Sequence, residues 1–428
     1  MKAYRGSVLR FDESGQAQWD EDGLLVVGPD PTGRAPCWVV RDVGDHAALA
    51  GRYPGVVTED CCGKWLVPGF VDMHVHYPQT DIIGSPADGL LPWLETYTFP
   101  QESRFASGDV ARETAAFFVD ELLRHGVTTA LCFATSHPTS VDALMQVAQG
   151  QGMRLITGKV LQDQHSPDGV RDDTEQSLLD TERLIQRWHG QGRLGYAITP
   201  RFVPTSSAAQ LRGAGELARR YPEVWVQSHV AENRDEIAWV AQMYPQQRSY
   251  LSVYEHFGLL RERAVYAHGI YLDAEDKALL AERGAAIAVS PTSNLFLGSG
   301  FFDFAQANGF AHGLASDVGG GTSFSPLATM RAAYFVGREG QSKTGMSLAP
   351  ERLWWLHTAG AAAAMGLGAQ VGNLQIGCEA DVVVLDAAAT PLLARRMAQV
   401  NSLAERLFAM VVLGDDRAVW RTDIAPAG

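Results

Sequence analysis

The chain has 428 residues, 46% hydrophobic and 20% charged, with 49 acidic against 35 basic side chains. These fractions exclude a disordered or fibrous protein, and the length calls for one large barrel-like domain with an accessory, or for two domains. A formal net charge of −14 excludes a nucleic-acid duplex or an anionic membrane surface as the main partner, and leaves a neutral small molecule open.

At the N-terminus, Met1 to Asp12 lacks the apolar core of a signal peptide. Cys37, Cys61, Cys62, Cys132 and Cys378 are odd in number and include no C-x-x-C pair, which fits free thiols in a reducing compartment. The long uncharged stretch Gly284 to Phe302 contains Pro291, Asn294 and several Ser and Gly residues, unlike a membrane helix. A soluble, cytoplasmic protein is expected.

Residues 1–68 alternate short apolar runs, such as Leu24-Leu25-Val26-Val27 and Trp38-Val39-Val40, with Gly, Pro and Asp. That is the texture of short strands and turns. The far end repeats it in Val382-Val383-Val384-Leu385 and again in Phe408-Ala409-Met410-Val411-Val412-Leu413. Both ends therefore predict one small β-sandwich domain, built from 1–68 plus 369–428. In the middle, 69–368, strand-length runs begin near Phe70, Val127, Arg154, Leu194, Val224, Ala264, Ala285 and His312. Helix-period segments separate most of them, among them Ala111–Arg124, Glu175–His189, Ser207–Arg220 and Asp273–Arg283. Eight such alternations predict an α/β fold, a (β/α)₈ TIM barrel. A doubly wound sheet is the alternative, but no G-x-G-x-x-G follows an early strand.

In a (β/α)₈ barrel the reactive side chains leave the C-terminal ends of the strands. The first strand ends in His74-Val75-His76, and alternation puts both imidazoles on one face. The fifth ends at His229, with Glu232 three residues on; the sixth ends at His268, and the eighth at Asp317 before three glycines. Taken singly, each has a bland reading as a core histidine, a helix-start carboxylate or a turn residue. The conjunction at four strand ends points to a metal site. His125, His189 and His357 fall in helical stretches and read as non-catalytic, while His137 and His165 lie in loops after strands two and three.

Asp72-Met73-His74-Val75-His76 with His229, His268 and Asp317 resembles the metal site of the amidohydrolase superfamily, and Gly372 to Asp386 resembles its return to a small β domain. More narrowly, the chain resembles the guanine deaminases. Their markers here are His76-Tyr77-Pro78-Gln79, Leu91-Pro92-Trp93-Leu94-Glu95, Tyr97 to Glu102 and Thr199-Pro200-Arg201-Phe202. The segments Gln227 to Asn233, Ala267 to Leu272, Ser290 to Leu295 and Ser316 to Gly321 extend the likeness over the whole chain.

The resemblance implies that His74, His76, His229 and Asp317 bind one zinc ion (Zn2+). It implies that Gln79, Arg201 and Phe202, with residues near His229, contact the purine. Conversion of guanine to xanthine and ammonia by a homodimer is the implied activity. Chemically, Glu232 is the expected proton donor to ring N3, Asp317 the acceptor of the water proton, and His268 either a ligand or an orienter of that water. Arg201 can donate to O6, Gln79 offers a donor and an acceptor, and Phe202 offers a stacking face. Arg201 could equally serve a structural ion pair. Ser85 to Ser103 reads as a long loop over the active face, with Trp93 and Phe99 as lid, pocket wall or local packing.

Binuclear superfamily members bridge two metals through a carboxylated Lys at the end of strand four. Here strand four ends Thr199-Pro200-Arg201, and among five lysines only Lys159, on strand three, lies in the barrel core. The H-x-E and P-C-x-x-C signature of the other base-deaminase fold is absent. The alternatives are another mononuclear deaminase, of an oxidised purine, cytosine or an adenine-type substrate, or an inactive binding protein on the same scaffold.

Overall fold

The computed structural model describes residues 1–86, 88–340 and 347–428. At the N-terminus come β1 (Lys2–Phe11), β2 (Ala17–Gly28), β3 (Val39–Asp45) and β4 (Thr58–Pro68). The barrel strands follow: β5 (Phe70–His76), β6 (Val127–Phe133), β7 (Arg154–Gly158), the two-residue β8 (Val160–Leu161), β9 (Gly195–Pro200), β10 (Trp225–Val230), β11 (Ala264–His268), β12 (Ala286–Val289) and β13 (Ala311–Leu314). At the far end are β14 (Val382–Leu385) and β15 (Val419–Asp423).

Eight parallel strands pair in the order β13-β12-β11-β10-β9-β7-β6-β5, with β8 beside β9. The seam is bridged from the last strand to the first: Asp317 N–H donates to the His74 carbonyl, and His76 N–H to that of Val318. These runs are nearly continuously apolar because both faces are covered, by barrel interior on one side and helices on the other. Polar caps set the helix starts. Asp173, Ser207 and Asp273 accept N–H bonds from the first turns of Thr174–Trp188, Ala208–Arg220 and Ala274–Arg283. Gly158 ends β7 so close to its neighbour that a Cβ there would collide with the Ala197 carbonyl.

The chain ends share a six-stranded sheet, ordered β15-β14-β4-β1-β2-β3. One strand expectation there fails. Phe408–Leu413 lies in a helix, Leu403–Leu413, capped by Ser402. Its apolar residues have helical spacing, and Leu407, Met410 and Val411 are buried, with the Leu407 carbonyl accepting from Trp354. Tertiary burial of that face overrides the strand preference of Val411-Val412. The second strand of this end is instead β15, which is partly exposed. Ser85 to Ser103 also departs from the loop expectation, since helical turns run from Leu90 to Ser103.

Sheet and barrel meet at a buried charge network. Arg193 pairs with Glu379 at 2.7 Å and Asp381 at 2.5 Å, and Arg154 also pairs with Glu379.

Candidate active site

The strand ends place the sequence candidates around one centre. Alternation along β5 does what it should, turning His74 and His76 inward together, with their Nε2 atoms 3.1 Å apart. His229, on β10, brings its Nε2 to 3.3 Å from that of His76. Asp317 Oδ1 lies 3.0 Å from His74 Nε2 and 3.3 Å from His76 Nε2. His268 ends β11, its Nε2 3.3 Å from Glu232 Oε2 and 3.7 Å from Asp317 Oδ2. All six side chains are buried. Three of these turns need a positive φ: +49° at Ala231, just before Glu232, +74° at His268 and +52° at Asp317. Non-glycine residues in that region mark strain that the surrounding fold must hold, a common property of functional sites.

The donor set fits a metal ion. His229 Nδ1 donates to the Arg201 carbonyl at 2.6 Å, because a carbonyl can only accept, so the Nε2 lone pair of the neutral ring faces the centre. Burial lowers the pKa of His76 to about 4, and burial with the neighbouring imidazoles holds His229 well below its usual value, so both rings are neutral. Burial opposes the charge on Asp317, but His74 and His76 hold its carboxyl well below the usual range. Donors about 2.0–2.1 Å from a tetrahedral centre stand about 3.3 Å apart, close to the 3.0–3.3 Å that separates His76 from the other three donors and His74 from Asp317.

Glu232 and His268 sit beside this centre. The Asn294 amide oxygen accepts from His268 Nδ1 at 2.8 Å, which turns Nε2 toward Glu232 Oε2. Burial first, and the Asp317 charge second, raise the Glu232 pKa in the same direction. Ser299 Oγ donates to Glu232 Oε1 at 2.9 Å and opposes the shift.

The centre floors a pocket. Gln79, Trp93, Arg201, Phe202, Glu232, Glu236, His268 and Asp317 line it. Phe99 does not; it lies under the Arg201 guanidinium, 5.2 Å from ring centroid to cation. Both readings of Arg201 meet in one place, because this cavity-lining residue is also paired through both Nη atoms with the fully buried Glu102, at 2.6 and 3.1 Å. Glu102 accepts from Gln79 Nε2 as well, at 3.1 Å, while Gln79 Oε1 accepts from Gly319 N–H. Replacing Arg201 with Ala strands Glu102 without a counter-charge, so chemical denaturation should show a loss of about 3–5 kcal/mol of unfolding free energy. An unchanged midpoint would mean that the pair carries no stability.

Other histidines stay away from the centre. His137 Nε2 meets the Gly169 carbonyl, and His165 packs on Trp239. Lys159 is buried with Asp172 at 2.6 Å. Glu102, Ser299, Asn294 and Glu236 enter the site without having been singled out from the sequence.

Residues 65–421 match the amidohydrolase family model. The guanine deaminase of Escherichia coli is 42% identical over 99% of this chain and 96% of its own length. Its solved structure superposes with a TM-score of 0.94, covering 99% of this chain and 98% of that one. The guanine deaminase of C. acetobutylicum, solved with guanine bound in the active site, has a TM-score of 0.88 at 28% identity, covering 99% of this chain and 98% of that one.

Proposed function

The chain belongs to the amidohydrolase family, to its guanine deaminases, and on that premise we propose how its residues hydrolyse guanine to xanthine and ammonia. The observation that carries the assignment of roles is the chain of close contacts among the Nε2 atoms of His74, His76 and His229 and the Asp317 carboxylate, beside the buried Glu232 with its raised pKa. His74, His76, His229 and Asp317 would hold one zinc ion, which when bound lowers the pKa of a water to roughly 7 and so makes a nucleophile available at neutral pH. Residues 69–368 form the hydrolase barrel and 1–68 with 369–428 its accessory. A cytoplasmic homodimer completes the reading, consistent with free cysteines and with the absence, among the described residues, of a helix able to cross a membrane.

Hydrolysis places one water proton on N3 of the product and the other on the departing ammonia. Attack at C2 breaks the aromaticity of the pyrimidine ring, so N3 must gain a proton as the bond forms. Glu232 donates it. His268, fixed by Asn294, orients the attacking water from the other side. Asp317 takes the remaining water proton, which returns through Glu232 to the amine as the C–N bond breaks. Arg201 donates to O6, and the free valences of the Gln79 amide meet N1–H and O6. Phe202 and Trp93 form apolar walls for the ring.

Ammonia release on adding guanine to the zinc-loaded protein tests this reading against the other deaminases; release from adenine but not guanine would overturn it. Recognition through Arg201 predicts that Arg201→Ala lowers the guanine-to-adenine preference in kcat/KM at least about tenfold. An unchanged preference would confine Arg201 to the ion pair. Ser299 gives a pH prediction. Catalysis needs protonated Glu232, so turnover falls as pH rises through its raised pKa. Ser299→Ala removes a bond that stabilises the ionised form, and the alkaline limb of the kcat profile should move to higher pH. A limb that stays or moves down would contradict the role of Glu232 as the acid.

A further inference from the structure

A second buried acid faces the cavity and takes no part in the chemistry described above. Glu236 lies in the first turn of the helix Arg234–Met243, one turn beyond Glu232, and is fully buried. Its Oε1 accepts from the Glu232 backbone N–H at 2.8 Å, which fixes the carboxyl against the same wall. Its Oε2 is buried and has no hydrogen-bond partner, although the residue lines the cavity. A buried polar atom without a partner costs about 1–3 kcal/mol unless a ligand or water supplies one.

Guanine offers the matching group. In the pose above, the ring edge turned to Glu232 carries N3, and the next polar atom along that edge is N9. The opposite edge, with N1 and O6, faces Arg201 and Gln79. We propose that Glu236 Oε2 accepts the N9–H of guanine, so that two adjacent carboxyl groups read N3 and N9–H and the site selects the free base. This inference rests on the guanine reading. A base substituted at N9 both lacks the proton and collides with this wall, so a nucleoside is refused twice.

The test is Glu236→Gln, assayed with guanine and with 9-deazaguanine, which has carbon in place of N9. The Glu232 N–H requires an acceptor, so the Gln carbonyl takes the Oε1 place and its NH₂ turns to the cavity, donor against donor. The guanine-to-9-deazaguanine ratio of kcat/KM should fall about 10–100-fold relative to wild type, with zinc content and Tm retained. Equal losses on both substrates would reduce Glu236 to a structural residue and overturn the proposal. Should the variant not fold, the wild-type protein serves. It should prefer guanine over 9-deazaguanine at least about tenfold, and no preference overturns the proposal. A wild-type protein that releases no ammonia from guanine would instead overturn the deaminase reading itself, an outcome distinguishable from either result with Glu236.

Discussion

Glu232→Gln is expected to keep one zinc ion per chain and to lose at least ~10²-fold in turnover on guanine. The expectation follows from what the substitution spares. Glu232 lies outside the four-donor set, so the distances among His74, His76, His229 and Asp317 do not depend on it. The amide is isosteric, and its oxygen can still accept from Ser299 Oγ. Only the transferable proton is lost. Metal analysis together with ammonia release separates the two effects, and turnover near wild type with the metal in place would remove Glu232 from the mechanism.

His76→Ala should have the largest effect of all, loss of stoichiometric zinc with turnover reduced at least ~10³-fold. His76 Nε2 is at the middle of the donor set, within 3.1–3.3 Å of donors on His74, His229 and Asp317. Changing a residue that merely supports a ligand costs about 10–100-fold in metal affinity, so deleting a ligand should exceed that. A bound metal also stabilises the fold by mass action, and the variant should therefore show the lower Tm of chelated wild type and no further drop on chelation. His137→Ala, changed in a loop away from the centre, is the control and should keep both zinc and activity. A His76→Ala protein that held one zinc per chain and turned over guanine normally would contradict the ligand set.

The site was legible in the sequence to the extent that its residues sit at strand ends. Strand alternation joined His74 to His76, and the (β/α)₈ pattern converted His229, His268 and Asp317, scattered over almost 90 positions, into neighbours. Arg201 and Gln79 were legible through resemblance, but their shared partner was not. Glu102 lies in a short helix within Ser85 to Ser103, the segment that read as a loop, and nothing local shows that it reaches Arg201. Ser299 and Asn294 belong to the Gly- and Ser-rich stretch after β12, where hydrogen bonding is set by tertiary approach. Glu236 was not singled out, since a carboxylate in a helix's first turn is ordinary on dipole grounds and only its burial sets it apart.

At the level of fold, strands buried on both faces were the easy part, since continuous apolar runs between turn residues leave little choice. The apolar run Phe408–Leu413 was ambiguous for the same reason. A short run does not distinguish a core strand from a buried helical face, and here the cap at Ser402 and the contact with Trp354 decide for the helix.

The reaction itself is tested most directly by carrying it out in ¹⁸O-labelled water with the zinc-loaded protein and guanine. One labelled oxygen at C2 of xanthine for each ammonia released is the predicted result. Ammonia without label at C2, or no ammonia at all, would contradict hydrolytic attack by a water held at this centre.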